Sequence, residues 1–514
     1  MRRWLKRASG PLAAAALASG CTVGPNYRPQ DVAVPAKFVE AQAIPAPGAS
    51  IDPATWWRAF NDPVLDRLVE RALADSPDMA IAASRVRQAR LQEIAARSAG
   101  LPQVNASTEA THVEFSKNAG FSSIARLFSG GGGGGASGGG QTGGTGGGQG
   151  GSSGIALPGS GITTYAAGFD ASWELDIFGG VRRQVEGARA RAEAAEWSRR
   201  DAAVTLSAEV AQAYFALRLD QITAATIEAE IARQTRALEI AGNIARAGLV
   251  PQIDITRQRG QLTSTQARLE PVQADARVRL HALGLLVGGD PGAVAADLAG
   301  PAPTVSPVPI IPAGLPSDLL RRRPDVRAAE RALAASTADI GVAVADLYPR
   351  FSLTGVAQLI STSLSTLFER DSLQLTGTGS ARFPLIDWGR RQATVKMRRE
   401  DREQAYQQYR QAVLGALRDV EDPLARLDAE RRRNEALRRA VADNEVSARA
   451  TEAQYRTGFV AQDALLNAET QVLAAREQLA ASDAQLRQST VSLFKAIGGG
   501  WSEDTPLPPT PSTS

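Results

Sequence analysis

Apolar and polar residues alternate strictly along one stretch of the chain, from Ala167 to Ile177. A period of two over these eleven residues predicts a β-strand with one apolar and one polar face. Acidic side chains on the polar face indicate water on that side of the sheet, as in a lumen. The apolar face carries Ala167, Phe169, Ala171, Trp173, Leu175 and Ile177, and the polar face carries Gly168, Asp170, Ser172, Glu174 and Asp176.

Three further segments predict strands, namely Val104–Phe115, Phe351–Gln358 and Leu373–Leu385, so the chain carries two hairpins. A soluble, half-buried sheet would alternate in the same way, and the strands alone leave that alternative open. Four strands cannot close a membrane barrel, whose smallest single-chain form has about eight. Because lipid does not tolerate open strand edges, strands that span a membrane would require two or three protomers.

Long stretches with helical periodicity follow each hairpin. Val181–Ala247 contains no proline and would reach roughly 100 Å at about 1.5 Å per residue. Its counterpart Arg390–Thr457 contains Asp422-Pro423, where a kink is expected because proline removes a backbone hydrogen bond. Gln252–Leu286 and Ala461–Ile497 predict return helices. Strict heptads are not sustained, which disfavours an ordinary coiled coil.

The same landmarks recur in both halves of the chain at equal spacings. Two prolines lie 25 residues apart in each half, and three glycines follow at intervals of 69 and 40 residues. Equal spacings with like residues at the marks predict a tandem duplication. The landmarks are Pro77, Pro102, Gly179, Gly248 and Gly288 in the first half, and Pro324, Pro349, Gly389, Gly458 and Gly498 in the second.

One spacing differs between the halves, because the first hairpin is longer by 37 residues. The surplus coincides with a tract rich in glycine and serine, Ser129–Gly161, which cannot bury enough surface to fold. Glycine-serine tracts are commonly interdomain linkers, and that is the alternative here. Since the second half closes the same connection with a short loop, the repeat favours an inserted loop at a hairpin tip, expected to be extracellular.

The composition favours helices and excludes one class of partner. Aromatic residues are 5% of the chain and apolar residues 43%, so the apolar content is mostly Ala, Val and Leu. The formal charge is +3, but the first twenty residues hold four basic residues and no acid, which leaves −1 without them. A nearly neutral chain offers no case for nucleic-acid binding.

The N-terminus predicts export and lipid attachment. Met1–Gly20 has a basic start and a short apolar stretch, as in a secretory signal. Cys21 is the only cysteine, so no internal disulfide can form. Leu17-Ala18-Ser19-Gly20-Cys21 resembles a bacterial lipoprotein box, which implies a covalent lipid on Cys21 and no other cofactor. Ordinary cleavage beside an unrelated cysteine is the alternative.

Three motifs carry a resemblance to a known family. They are Cys21-Thr22-Val23-Gly24-Pro25-Asn26-Tyr27, Trp56-Trp57-Arg58-Ala59-Phe60-Asn61-Asp62-Pro63 and Leu319-Leu320-Arg321-Arg322-Arg323-Pro324-Asp325-Val326-Arg327. With the paired hairpins and long helices, they resemble the TolC-like outer-membrane efflux channels, in particular the NodT-type lipoprotein branch. The resemblance covers nearly the whole chain after the signal.

This resemblance implies an α + β membrane channel. Three protomers would contribute four strands each to a twelve-stranded outer-membrane β-barrel, which long helices continue as a periplasmic tunnel. The implied partners are two further copies of the chain, outer-membrane lipid, a periplasmic adaptor protein and an inner-membrane transporter. The resemblance points to a transporter of the RND type, while the sequence leaves other pump classes open.

The resemblance also implies a gate at the periplasmic helix turns. Asp254 and Tyr455 match a family pair that bonds between neighbouring coils, and Asp463 and Asn467 match the constriction. The chain departs from the family there, because Asp463 replaces a residue that is often apolar and Asn467 one that is often acidic. Surface polar residues at a helix start are the alternative. The two apolar turns are assigned to adaptor contact: Gly248, Leu249, Val250, Gly458, Phe459 and Val460.

These expectations divide the chain into six parts. They are the signal at 1–20, an N-terminal lipoprotein segment with a first helix at 21–75, repeat 1 at 76–300, a linker at 301–316, repeat 2 at 317–500 and a C-terminal tail at 501–514. The predicted function is the exit duct of a tripartite efflux pump, which conducts drugs or other small toxic compounds passively to the exterior. The exported substrate is not set by this sequence.

Two other classes of function, an enzyme and a scaffold without a pore, fit the sequence less well than a channel. An enzyme is not expected, because the two histidines, His112 and His281, share no motif and no metal spacing or nucleophile elbow occurs. A lipid-anchored coiled-coil scaffold or adhesin without a pore would explain Cys21 and the long helices. It would not explain two alternating hairpins.

Overall fold

The structure is a computed structural model that describes residues 22–35, 38–40, 52–114, 161–246, 251–298, 309 and 322–501. Several predicted features therefore lie outside the described residues. They are the signal, Cys21, the turn at Gly248, Leu249 and Val250, nearly all of the glycine-rich tract, nearly all of the linker at 301–316, and the tail after Trp501.

Helices dominate the described residues and four strands interrupt them. After a short 3-10 helix, Pro53–Phe60, the helices are α1 Pro63–Asp75, α2 Pro77–Ser98, α3 Gly180–Arg246, α4 Gln252–Val287, α5 Pro291–Asp297, α6 Pro324–Ala345, α7 Arg390–Arg456 and α8 Gln462–Ala496. The strands are β1 Gln103–Glu114, β2 Gly161–Leu175, β3 Arg350–Ser361 and β4 Leu373–Arg382.

The predicted long helices are confirmed. α3 and α7 each contain 67 residues, and their ends lie within one residue of those predicted from periodicity. Pro423 lies inside α7 and Pro271 inside α4, and each helix continues past its proline. In the part of the chain that the structure describes, no helix is both long enough and apolar enough to cross a membrane.

The chain divides into two compact units. The first takes Met1–Asn26, Gln92–Gly187 and Thr337–Glu400 and contains the sheet among its described residues. The second takes Tyr27–Leu91, Ala188–Ser336 and Asp401–Ser514 and contains most of the helical residues.

The sheet of the first unit is antiparallel, with its strands in chain order from β1 to β4. Both predicted hairpins are confirmed. Glu114 pairs with Gly161, so the glycine-rich tract connects the two strands of the first hairpin, and Gly161 itself belongs to β2. The pairing of β2 with β3, which joins the hairpins into one sheet, was not predicted.

The register places like residues in rows across the four strands. Ala106, Phe169, Ala357 and Leu375 form one apolar row, and Phe169 and Leu375 are 62% and 72% exposed in a single protomer. The row three residues away along the strands is polar, with Gln103, Ser172, Thr354 and Thr378. Since side chains alternate between faces, one face of the sheet is mainly apolar and the other mainly polar.

β2 ends two residues before the predicted end because of helix capping. The carboxylate of Asp176 accepts hydrogen bonds from the backbone N–H groups of Val181 and Arg182, both at 3.0 Å. These groups lack partners within the helix at an α-helix start, so the acid stabilises the beginning of α3. Asp176 therefore caps α3 instead of continuing β2.

The main hydrophobic core lies in the second unit. Trp56 stacks on Phe494 with ring centroids 5.1 Å apart, and Phe60 lies 5.0 Å from Phe215. The motif around Trp56 therefore serves packing, and its Asp62 caps α1 through the N–H groups at the start of that helix. The motif that contains Arg323 is also structural, because the buried guanidinium of Arg323 donates to the carbonyl of Ala496 at 2.9 Å.

Candidate functional site

The turn between α7 and α8 is formed by a glycine in the left-handed conformation. Gly458 has φ of +75°, and its N–H donates to the carbonyl of Tyr455 at 2.9 Å. The N–H of Phe459 donates to the carbonyl of Gln454 at 2.9 Å. Together these bonds satisfy the last carbonyls of α7 and end the helix.

An aromatic side chain lies at the tip of this turn. Phe459 is 86% exposed and Val460 is half-buried, so the turn presents apolar surface to its surroundings. A large exposed apolar residue at a short turn is typical of a contact site. The counterpart turn at Gly248, Leu249 and Val250 lies outside the described residues.

The predicted gate residues lie near the starts of the two return helices and near the end of α7. Asp254 is in the first turn of α4, and its carboxylate lies 3.7 Å from the guanidinium of Arg257. Asp463 and Asn467 are exposed near the start of α8, and Tyr455 is half-buried. No hydrogen bond between Asp254 and Tyr455 occurs within the described part of one protomer. Their bond between neighbouring coils stays a prediction.

One face of α8 is linked to the α3–α4 pair by polar side chains at intervals of seven and eight residues. The spacing of two helical turns keeps the three residues on one side of α8. The links are Gln462 Nε2 to Gln258 Oε1 at 3.0 Å, Glu469 to Arg233, and Glu477 to Arg268 at 2.5 and 2.6 Å.

The middle link is the most elaborate of the three. The guanidinium of Arg233 donates to both carboxylate oxygens of Glu230 at 2.6 Å and also binds Glu469. Gln234 Nε2 donates to the same Glu230 at 2.7 Å, and both residues are buried. One arginine thus joins two acids from two helices, where charge-assisted hydrogen bonds are strong.

Partial burial changes the pKa of one acid in this cluster, Glu469. It raises the pKa of Glu469, while the neighbouring Arg233 acts in the opposite direction and only partly offsets the loss of solvent. The carboxyl group of Glu469 would ionise more readily in water than it does here. The guanidinium of Arg233 stabilises its charged form. Breaking this ion pair would leave a partly buried carboxylate without its partner, which is unfavourable.

The links of α8 to α3 and α4 cannot be predicted from the sequence, for a physical reason. The spacing of Glu230 and Arg233 is that of a helical neighbour pair and is visible in the sequence. Glu469 lies 236 residues from Arg233, and no local pattern relates the two. The polar spacing along α8 was the one available signal, and it does not name partners.

Comparison with known proteins identifies the family. The model of the family described as outer membrane efflux protein matches residues 68–289 and 315–499, which is most of the chain. The chain belongs to the outer membrane efflux protein family. The two matched segments also correspond to the two halves inferred from the repeat.

Individual relatives match along nearly their whole length. Nodulation protein T of Rhizobium leguminosarum bv. trifolii is 28% identical over 486 residues, which cover 94% of this chain and 96% of the relative. The probable outer membrane lipoprotein SilC of Salmonella typhimurium is 28% identical over 494 residues, with coverage of 94% and 97%. The solved outer-membrane channel OprN is 30% identical with a TM-score of 0.80, and the match covers 94% of this chain and 100% of that chain.

Family membership confirms the predicted fold class and function. The protein is an α + β channel of the outer membrane, in which each of three protomers supplies four strands to a barrel and long helices to a periplasmic tunnel. It is the outer-membrane component of a tripartite efflux pump, and it works with adaptor and inner-membrane components. This decides in favour of the channel over the scaffold or adhesin without a pore.

Proposed function

We propose that this channel conducts small toxic compounds passively and is held shut by the polar face of α8. The observation that carries the proposal is the row of three links from α8 to the α3–α4 pair. A helix fastened at regular intervals moves only when these links break. The ion pair of Glu469 with Arg233 contributes most, because Arg233 is also held by both carboxylate oxygens of Glu230.

Single-channel conductance in planar bilayers tests this gate. Glu469→Gln keeps the size of the side chain and removes the charge, and we expect conductance to rise severalfold. Glu445→Gln is the matched control, since Glu445 binds Arg476 at 2.6 Å within the α7–α8 pair and does not link α8 to α3 or α4. A triple variant, Gln462→Ala with Glu469→Gln and Glu477→Gln, that conducts like the wild type would reject the gate.

The gate predicted at the helix turns is part of the same proposal. Asp254 and Tyr455 are proposed to bond between neighbouring coils, and Asp463 and Asn467 are proposed to line the narrowest part of the tunnel. Their support is position, because all four lie within a few residues of the turns. Tyr455→Phe should raise conductance, and an unchanged value would limit the gate to the α8 links.

The turns are proposed to contact the periplasmic adaptor. Phe459 carries this proposal, because it is a large apolar side chain exposed at the tip of the α7–α8 turn. Gly458 and Val460 would complete one contact, and Gly248, Leu249 and Val250 the other. Phe459→Ser should weaken adaptor capture by the purified channel while conductance stays unchanged. Equal capture by variant and wild type would contradict the assignment.

A covalent lipid on Cys21 is proposed to anchor the N-terminus to the outer membrane. The lipoprotein box supports it, and so does the likeness to SilC, a probable outer membrane lipoprotein. Intact mass spectrometry of the purified protein should show an acylated N-terminal cysteine. Cys21→Ser should abolish that mass increment, and an unmodified Cys21 in the wild type would refute the anchor.

The inner-membrane partner is proposed to be a transporter of the RND type. The support is the NodT-type resemblance of the chain and its likeness to nodulation protein T. Co-purification with tagged transporters of different classes from the same cell would test it. Recovery with a non-RND transporter alone would correct the class.

A further inference from the structure

The described part of the chain ends on a tryptophan that is held in place in the second unit. After α8, Gly498 and Gly500 have positive φ, and the N–H of Gly500 donates to the carbonyl of Pro53 at 2.7 Å. The ring of Trp501 then packs edge-on against Trp197 of α3, with centroids 5.3 Å apart. The Nε1 atom of Trp501 is buried and has no hydrogen-bond partner among the described residues. The segment that follows therefore leaves from a fixed point, beside a donor that needs an acceptor.

A groove, the α6–α7 groove, lies next to this point in the same unit, where the N-terminal segment crosses α6 and α7. Its volume is about 450 Å³, within the range of roughly 300–1,000 Å³ that ligand clefts occupy. Arg327 lines the groove and also lies over Trp197, with its guanidinium 5.3 Å from the ring centroid. Two contacts thus connect Trp501 with the groove. The apolar lining residues are Pro29, Val32, Val34, Val326, Tyr409 and Val413.

The apolar part of the α6–α7 groove is built mainly from valines. Val326 and Val413 are buried in one small cluster, and Val32 and Tyr409 pack against that cluster while they stay half-buried. A tyrosine ring beside aliphatic side chains is the kind of surface on which proline-rich segments bind, because proline rings pack flat against it. The groove therefore fits an extended, proline-rich peptide.

The residues after Trp501 have this composition. Four of the six residues from Pro506 to Pro511 are proline. Such a run predicts the polyproline II conformation, which is extended before it binds and so loses little entropy on binding. At about 3.1 Å per residue, the five steps from Trp501 to Pro506 span about 15 Å. This length exceeds the two ring contacts that separate Trp501 from Arg327.

Charge favours the same path. Two acids, Glu503 and Asp504, lie between Trp501 and the prolines. The guanidinium of Arg200 lies 4.3 and 5.1 Å from the centroids of the two tryptophan rings. Arg200 shares the carboxylate of Glu196 with Arg199, at 3.9 and 2.5 Å, so positive charge is in excess beside the tryptophan pair. Acids that meet this excess would direct the following residues toward the groove.

We propose that the C-terminal tail, residues 502–514, docks in the α6–α7 groove of its own chain. Its acids lie beside Arg200 and Arg327, and its prolines lie on Tyr409 and the valines. The docked tail covers the N-terminal segment and fastens it to α6 and α7. A second copy of the chain or another periplasmic protein is the competing occupant. The tail is favoured because its tether gives it an effective concentration of about millimolar next to the groove.

Photo-cross-linking of the full-length channel tests this docking. The amino acid p-benzoylphenylalanine in place of Tyr409 keeps an aromatic ring there and reacts with C–H bonds that it touches. Mass spectrometry of the irradiated trimer should find residues 502–514 linked to position 409, with no covalent dimer on denaturing gels. The same probe in place of Val32 gives a second groove position, should the first variant fail to assemble. In place of Val446, which is exposed on α7 about 55 Å further along the helix, it is the matched control and should not label the tail.

Variants of the tail test what the groove recognises. Pro508→Ala with Pro509→Ala should lower the cross-linking yield at least threefold, because the segment loses its preformed extended shape. Ser512→Ala with Thr513→Ala, beyond the proline run, is the control and should keep the yield of the wild type. Equal yields from all three channels would contradict recognition through the prolines.

Hydroxyl-radical footprinting gives an independent measurement without a probe in the groove. Deletion of residues 502–514 should raise the oxidation rate of Tyr409 at least twofold, while Phe459 at the exposed α7–α8 turn should keep its rate. Equal oxidation of Tyr409 in both channels would overturn the docking. Links from the groove to another copy or another protein would also overturn it, as would the absence of tail links from both groove positions in trimeric samples.

Discussion

The chain turns from strand to helix twice, at Gly179 and at Gly389, and the two junctions differ in what covers them. Both glycines are left-handed, with φ of +79° and +83°. A Cβ added at Gly179 would lie 2.9 Å from the Cα of Thr22, whereas one added at Gly389 would meet nothing within 4 Å. Among the described residues, the N-terminal segment thus packs against the first junction and not against the second.

A buried arginine holds that segment in place. The side chain of Arg183, which is 4% exposed, donates to the carbonyls of Val23 and Gly24 at 3.1 and 3.3 Å and to Asn26 Oδ1 at 2.6 Å. The equivalent position in the second half is Ala393, which cannot make such bonds. The first junction is therefore covered by its own chain, while a Cβ at Gly389 of the second junction would meet no described residue within 4 Å.

Removal of this arginine should have the largest effect on the comparison. Arg183→Ala removes the three hydrogen bonds that a buried guanidinium donates to the N-terminal segment, and we expect a loss of about 3 kcal/mol. The measurement is the apparent melting temperature of the purified channel together with trypsin cleavage after Arg28. Arg391→Ala at the second junction, where Asp387 is the partner at 3.2 Å, should cost clearly less. Equal losses would mean that the junctions are alike.

A half-buried carboxylate of the first half, Asp201, should make stability depend on pH. Burial, together with the nearby Asp325, raises the pKa of Asp201 to about 6, while Arg323 and Lys495 act in the opposite direction. Because the folded protein favours the neutral form of Asp201, this residue stabilises the fold fully below the ordinary pKa of about 4. The stabilisation is lost as the pH rises through about 6. The equivalent residue of the second half, Gln411, does not titrate.

Asp201→Asn should therefore remove this pH dependence and stabilise the channel at pH 7 by about 2 kcal/mol. Melting temperatures between pH 4 and pH 8 measure the effect. Asp443→Asn, at an exposed position on α7, should keep the wild-type profile. A variant Asp201→Asn with an unaltered profile would show that another group titrates.

The stability losses of alanine variants at the two junction glycines, Gly179 and Gly389, can be compared directly. Gly179→Ala and Gly389→Ala both place alanine at positive φ, at a cost of about 1 kcal/mol each. Gly179→Ala also forces Thr22 away, which should add about 1–2 kcal/mol. The difference between the two melting temperatures isolates the packing of the N-terminal segment. If the variants melt together, the segment is not tightly packed at Gly179.

The smallest effect is expected from the aromatic residues at the junctions. Phe178→Ala removes a stack within one chain, worth about 1 kcal/mol beyond burial. Trp388 is 97% exposed in a single protomer, so Trp388→Ala should change the melting of the separated protomer little and, if the trimer covers this ring, lower the temperature at which the trimer dissociates in detergent. A reversed pattern would contradict the division between an internal and an intersubunit junction.

The efflux-channel fold was predictable because its signals are local or periodic. Alternation revealed β2 and β4, helical spacing gave α3 and α7 to within one residue, and the repeat placed the glycine-rich tract in a hairpin. The gate was less accessible. Asp254 and Tyr455 came from resemblance, while the link of Glu469 with Arg233 joins distant segments that no sequence pattern connects.

The sequence by itself determined the elements, their duplication and the family, since each depends on residues a few positions apart or on spacings that repeat. The tertiary structure decided which elements meet. It paired β2 with β3, brought Arg183 to the segment after Cys21, and placed the links of α8 on the first helix pair. These contacts depend on the path of the chain in space, and many side chains compete for each of them. Local periodicity does not indicate which of these side chains makes the contact.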